Sequence, residues 1–153
     1  KEVDSRLQGH GGESAVMENK LRHVVTRLTD EGLIIELFDI EGIPLFEGTT
    51  EEPTQLLRDL ILLIADTAST ITNQIAVNGH VQSDPIVRAN SPIWSLSAAR
   101  ATTVRELLQD SGIAPRRVQS VSGFADRKLA VRDPMDQRNN RLEIILLRSG
   151  TNG

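Results

Sequence analysis

Between residues 51 and 110 two helix-period segments flank one short apolar strand, an order that restricts the chain to folds in which helices pack on a sheet. In the first segment Leu56, Leu57, Leu60, Ile61, Leu63, Ile64 and Ala68 recur at three- and four-residue spacing and make a broad apolar stripe. Thr50 offers an N-cap, Glu51 and Glu52 suit the positive end of the dipole, and Pro53 is tolerated in a first turn, so the helix is expected to open there. Leu62 falls on the opposite face. In the second segment Leu96, Ala101, Val104, Leu107 and Leu108 share one face, and Gly112 with Pro115 beyond it predicts the stop. Between the two, Gln74 to His80, centred on Ile75 and Val77, reads as a buried strand.

The flanking sequence extends the sheet. His23 to Thr29 and Leu33 to Phe38 are strand-like and separated by Asp30-Glu31-Gly32, a hairpin signal. Leu33, Ile35 and Leu37 alternate with Ile34 and Glu36, which gives the second strand one core face. Val118 to Gly123 is a further strand. Arg141 to Arg148 closes the domain, with Leu142, Ile144 and Leu146 on one face and Ile145 and Leu147 on the other, so both faces are expected to be covered. The order is ββαβαββ, an α+β domain at residues 21–149 with a mixed sheet and two long helices packed on one face. Right-handed crossovers would make both helical connections join parallel neighbours. Residues 1–20, polar around Gly9-His10-Gly11-Gly12, read as a linker with a short helix near Ser14 to Leu21, and residues 150–153 as a tail.

At 153 residues and net charge −4, with charges of both signs interspersed, the chain lacks the basic patch of a nucleic-acid binder. Three Phe, one Trp and no Tyr leave little for a base-stacking platform, and the absence of Cys excludes disulfides and thiolate chemistry. No segment approaches the roughly 20 apolar residues of a membrane span. The chain opens at Lys1 without Met and is expected to be a fragment whose membrane anchor lies upstream.

Catalytic patterns are missing. His10, His23 and His80 show no metal-ligand spacing, Gly9 to Gly12 is not set between a strand and a helix, and Ser122-Gly123 is no nucleophile elbow. No enzyme, metal or cofactor is expected. The informative residue is Arg100. It projects from within the apolar arc of its helix, and if Ser97 is the N-cap it also sits in the first turn, where the dipole disfavours a cation. Rule-breaking of this kind is expected at functional sites. It is consistent with an arginine at the core edge or paired with a structural carboxylate, and also with one that points into a cleft and receives a carboxylate near the end of the Gly79 strand.

Four blocks in order carry a resemblance: Gly79-His80, Leu96-Ser97-x-x-Arg100-Ala101, Gly123, and Asn139-Asn140-Arg141-Leu142-Glu143. The chain resembles the OmpA-like peptidoglycan-binding domains, whose pattern is G-H-T-D, L-S-x-x-R-A, a glycine after a strand, and N-R-R-[IV]-E. Pro85 and Trp94 further match the periplasmic domains of flagellar stator B subunits. The resemblance implies a wall anchor in the periplasm, a homodimer, that binds the diaminopimelate-containing stem peptide of peptidoglycan and works with an upstream membrane segment and a stator A subunit. An outer-membrane protein or lipoprotein tether, or a domain that has lost glycan binding and works through protein contacts, are the alternatives. Arg100 inherits the carboxylate role in the family pattern. Gln82 stands where the family aspartate takes the ammonium, with Asp84 two residues on, and Asn140 replaces the first arginine of N-R-R. The expected ligand-binding residues are Arg100, Gln82, Asp84, Leu96 and Arg141.

Overall fold

The computed structural model describes residues 12–84 and 92–148. A helix α1 (Gly12–Leu21) precedes the hairpin β1 (Val24–Leu28) and β2 (Gly32–Phe38); then follow α2 (Gln55–Ala68), β3 (Ile75–His80), α3 (Ile93–Asp110), β4 (Val118–Gly123) and β5 (Arg141–Leu147). The short helix expected near Ser14 to Leu21 is thus present and begins two residues earlier; the first eleven residues of the expected linker, Pro85, and the expected tail at residues 150–153 lie outside the described residues.

The five strands form one mixed sheet in the order β1-β2-β5-β3-β4. β3 and β4 are parallel neighbours, as expected of the α3 crossover. β2 and β3 point the same way but are not neighbours, because β5 lies between them antiparallel to both. The last strand of the chain thus takes the centre of the sheet. Its sequence suits that place: six of its seven residues are buried, and apolar side chains occur on both faces.

Leu37, Ile75, Val77, Leu142, Ile144 and Leu146 form the covered face. They pack against Leu57, Leu60, Ile61 and Ile64 of α2 and Ala101, Val104 and Leu108 of α3 in one core cluster. The opposite face carries a small cluster of Ile34, Ala76 and Ile145 and, further along, a polar row. There Glu36, Glu143 and Asn78 lie directly opposite one another on β2, β5 and β3. Like charges so placed repel, and Arg27 compensates by bridging both glutamates at 2.8 and 3.0 Å.

The helix starts differ from expectation. α2 opens at Gln55, capped by Thr54, whose hydroxyl accepts from Leu57 N. Proline disfavours helical dihedrals at the residue before it, so Glu52 stays outside and the helix waits until Pro53 is passed. Thr50 instead makes a tight turn, its hydroxyl donating to Glu47 O at 2.6 Å and accepting from Glu52 N. α3 opens at Ile93 after Pro92, four residues before Ser97, so Arg100 lies in its second turn and not at its start. At the other end Gly112 follows the helix, and Ile113 N bonds back to Leu108 O.

Two glycines let α3 sit close on the sheet. A Cβ at Gly79 would lie 2.2 Å from Ser97 O, and one at Gly123 would lie 2.5 Å from Ala98 N. The fully buried Ser97 fastens the contact, its hydroxyl donating to Trp94 O at 2.9 Å and accepting from Ala125 N at 3.0 Å. Ala125 holds a left-handed conformation, φ +53°, that aims its N–H at Ser97 and its carbonyl at Val81 N.

Candidate functional site

Strands β2 and β3 run in the same direction, so their carboxyl ends share one edge of the sheet with the amino end of β5. Phe38 and His80 both pair with Arg141. The residues just past these pairs therefore meet: Asp39 after β2, Val81 and Gln82 after β3, Asn140 before β5. The first turns of α3 cover the same edge. The result is a cleft of about 1010 Å³, lined among others by Asp39, Glu51, Gln82, Asp84, Leu96 and Arg100. It lies where ligands of sheet proteins collect, beyond the carboxyl ends of strands.

Arg100 is buried, 5% exposed, and its surroundings explain how a cation survives there. Its Nε donates to Thr50 O at 2.8 Å and its Nη2 to Gly48 O at 3.1 Å. The guanidinium carbon stands 4.6 Å over the Phe46 ring. Thr50, expected to cap α2, is thus part of the seat of the arginine, and its carbonyl is open to Arg100 because it does not accept the first bond of the helix. Burial lowers the Arg100 pKa; the negative charges of Asp39 and Glu51 raise it in turn. These two bonds use two of the five N–H donors of a guanidinium.

Asp39, 7% exposed, is the residue that sequence reasoning missed. Its Oδ1 accepts from Leu45 N at 2.8 Å and its Oδ2 from Asn140 Nδ2 at 3.1 Å. Burial raises its pKa above the ordinary aspartate range, and the Leu45 N–H, the Asn140 amide, Arg100 and Gln137 draw it back. Its only signal in the sequence is its place at the end of an apolar strand.

The expected ligand-binding residues divide. Arg100, Gln82, Asp84 and Leu96 line one cleft. Arg141 does not: its side chain shares the opposite face of the sheet with Glu36 and Glu143, because residues two apart on a strand point the same way. It stands 3.9 Å from Glu36 Oε2, which also meets Arg138 at 2.6 Å. Burial lowers the Arg141 pKa, and the two glutamates raise it. His80 belongs to the same face, buried, with Nε2 3.1 Å from Glu143 Oε1 and its ring stacked on Phe124. Asn139, fully buried, ties down the loop that borders the cleft: its Oδ1 accepts from Ala130 and Val131 N, and its Nδ2 donates to Asp133 O. Among the described residues no group of three or more His, Asp or Glu could hold a metal ion, and no helix is long and apolar enough to cross a membrane.

The arrangement is one buried guanidinium and three carboxylates, Asp39, Glu51 and Asp84, lining a single cleft on a sheet whose last strand is central. Residues 46–142 match the model of the OmpA family. The chain belongs to the OmpA family. It is 30% identical over 149 residues to Motility protein B of Escherichia coli K12, covering 93% of this chain and 48% of that relative, so it spans about half the relative's length. The periplasmic domain of Helicobacter pylori MotB superposes with a TM-score of 0.70 at 25% identity, covering 84% of this chain and 90% of that one. The cell wall anchor of the T6SS from Pseudomonas aeruginosa gives 0.66 at 25% identity, covering 92% and 99%. The four sequence blocks that carry the resemblance fall on the packing of α3 against Gly79 and Gly123, on Arg100 and on the Asn139 loop.

Proposed function

We propose that this OmpA-family domain is a non-catalytic anchor to the cell wall, held in the periplasm, whose cleft takes the diaminopimelate end of a peptidoglycan stem peptide. The observation that carries the reading is the buried Arg100 opposite Asp39 in one cleft. A carboxylate of the ligand meets the unused N–H donors of Arg100, a charge-assisted bond of the strong kind. The ammonium beside it meets a carboxylate. Gln82 has none to offer, but Asp39, Glu51 and Asp84 line the same cleft. Three carboxylates to one guanidinium among the described lining residues leave it net negative, which suits a ligand whose reading end bears an ammonium.

Likeness to Motility protein B over 93% of the chain favours a flagellar stator as the tethered complex. In that reading an upstream membrane segment and a stator A subunit complete the assembly, and the domain works as a homodimer. Likeness to a wall anchor of a different machine supports a second reading, in which the same cleft tethers another envelope assembly.

The test is retention on purified sacculi. Wild-type protein should co-sediment with sacculi and Arg100→Ala should not. Equal retention of the two, or none by wild type, would overturn the reading and leave a domain whose partner is a protein.

A further inference from the structure

Gln82 and Asn140, two residues that depart from the family pattern, are in contact. Asn140 Oδ1 accepts from the backbone N of Gln82 at 2.8 Å, and Asn140 Nδ2 donates to Gln82 Oε1 at 2.7 Å. Gln82 Nε2 donates to Met135 O at 2.8 Å. This last bond decides which way the Gln82 amide is turned, since only its nitrogen can donate to a carbonyl. The Gln82 oxygen is then presented to Asn140, and with the backbone N–H of Gln82 it fixes which way the Asn140 amide is turned. The second N–H of Asn140 donates to Asp39 Oδ2. Orientation passes along an unbroken line, from the Met135 carbonyl through two neutral amides to a buried carboxylate.

We infer that Gln82 and Asn140 form a coupled positioning pair that orients the Asp39 carboxylate in the cleft, with Gln82 acting on the ligand's ammonium only through Asn140. The inference rests on the reading of the cleft given above. A charged pair at these positions would behave differently. An aspartate at position 82 has no donor for Met135 O and would set a second negative charge near Asp39. The neutral pair keeps Asp39 as the oriented anion. The charged groups that line the cleft with it, among the described residues, are Arg100 on α3, Glu51 before α2 and Asp84 beyond β3. Burial disfavours the ionised Asp39, and the Asn140 amide is among the groups that favour it.

The experiment follows the Asp39 carboxyl by NMR titration in wild type, Gln82→Met, Asn140→Leu and the double variant. It also measures binding of a synthetic L-alanyl-γ-D-glutamyl-diaminopimelate tripeptide to each. Gln82→Met should move the Asp39 titration to higher pH, Asn140→Leu should move it further, and the double variant should match Asn140→Leu. Tripeptide affinity at neutral pH should fall severalfold, up to about tenfold, in Gln82→Met, the size of one lost neutral hydrogen bond passed on through Asn140, and the second substitution should add nothing in the Asn140→Leu background. Asn140→Ala, which removes both donors without adding a charge beside Asp39, serves if Asn140→Leu does not fold. An Asp39 titration unmoved by Gln82→Met overturns the inference. So does a Gln82→Met effect on binding that persists without Asn140, because Gln82 would then touch the ligand. If the Asp39 titration responds as stated but wild type fails to bind the tripeptide, the pair stands and the wall-binding reading falls.

Discussion

Arg100 does two things at once, and its variants should show both. Its bonds to Thr50 O and Gly48 O tie a loop to α3, and the same guanidinium faces the cleft. Arg100→Ala should therefore cost stability, about 2–3 kcal/mol from lost bonds to a buried charged group, as well as sacculus binding; urea denaturation beside the pull-down separates the two. Arg100→Lys keeps the charge but cannot span two carbonyls with a planar fork, so it should recover little of either. Glu143 gives a pH prediction. Burial would raise its pKa, but the hydrogen bond and charge of His80, the Asn78 amide and Arg141 outweigh that and hold it at about 2. A carboxylate depressed in the folded state stabilises above its unfolded pKa, so the contribution is complete above about pH 4.5 and is lost as pH falls towards 2. Thermal melts between those limits should lose of order 2–3 kcal/mol in wild type, and Glu143→Gln should flatten that slope.

Helix α3 is placed by the smallness of what lies under it. Ser97, Ala98 and Ala101 face Gly79 and Gly123, and added Cβ atoms there would meet backbone, which cannot swing aside. Gly79→Ala should lower stability by roughly 3 kcal/mol through overpacking, read as a lower urea midpoint with an unchanged slope. It should also weaken sacculus binding, because the helix that moves carries Leu96 and Arg100 into the cleft. The apolar stripe of α2 was legible from spacing: Leu57, Leu60, Ile61, Ile64 and Ala68, all named by it, are buried, while Leu56 and Leu63 are half-buried and the buried Ala65 fell outside it. The start of the same helix was not. Thr50 and Thr54 are both good caps by composition, and the choice fell to Pro53 and to the Leu45 carbonyl, which accepts from the Thr54 hydroxyl at 2.9 Å.

At the scale of the whole molecule, Leu62 on α2 is 58% exposed and Leu28 on the edge strand β1 is 82% exposed, apolar surface that a homodimer would cover. The domain should sediment as a dimer at micromolar concentration, and Leu62→Glu should make it monomeric; a wild-type monomer throughout would remove the dimer from the proposed function. The amino-acid sequence by itself determined the strands, the helices and their faces, because periodicity records which side chains must be apolar, and it exposed Arg100 as a charge in an apolar arc. It also carried, in four spaced blocks, the likeness to the OmpA family. The face of Arg141 was legible too, because strand alternation sets it opposite Leu142 and so away from the helix that carries Arg100. Only the tertiary structure could join Asp39 to Asn140 across 101 residues and Gln82 to Asn140 across 58. Those meetings depend on β5 entering between β2 and β3. Strand order follows from how the whole core closes, and no local pattern in the chain records it.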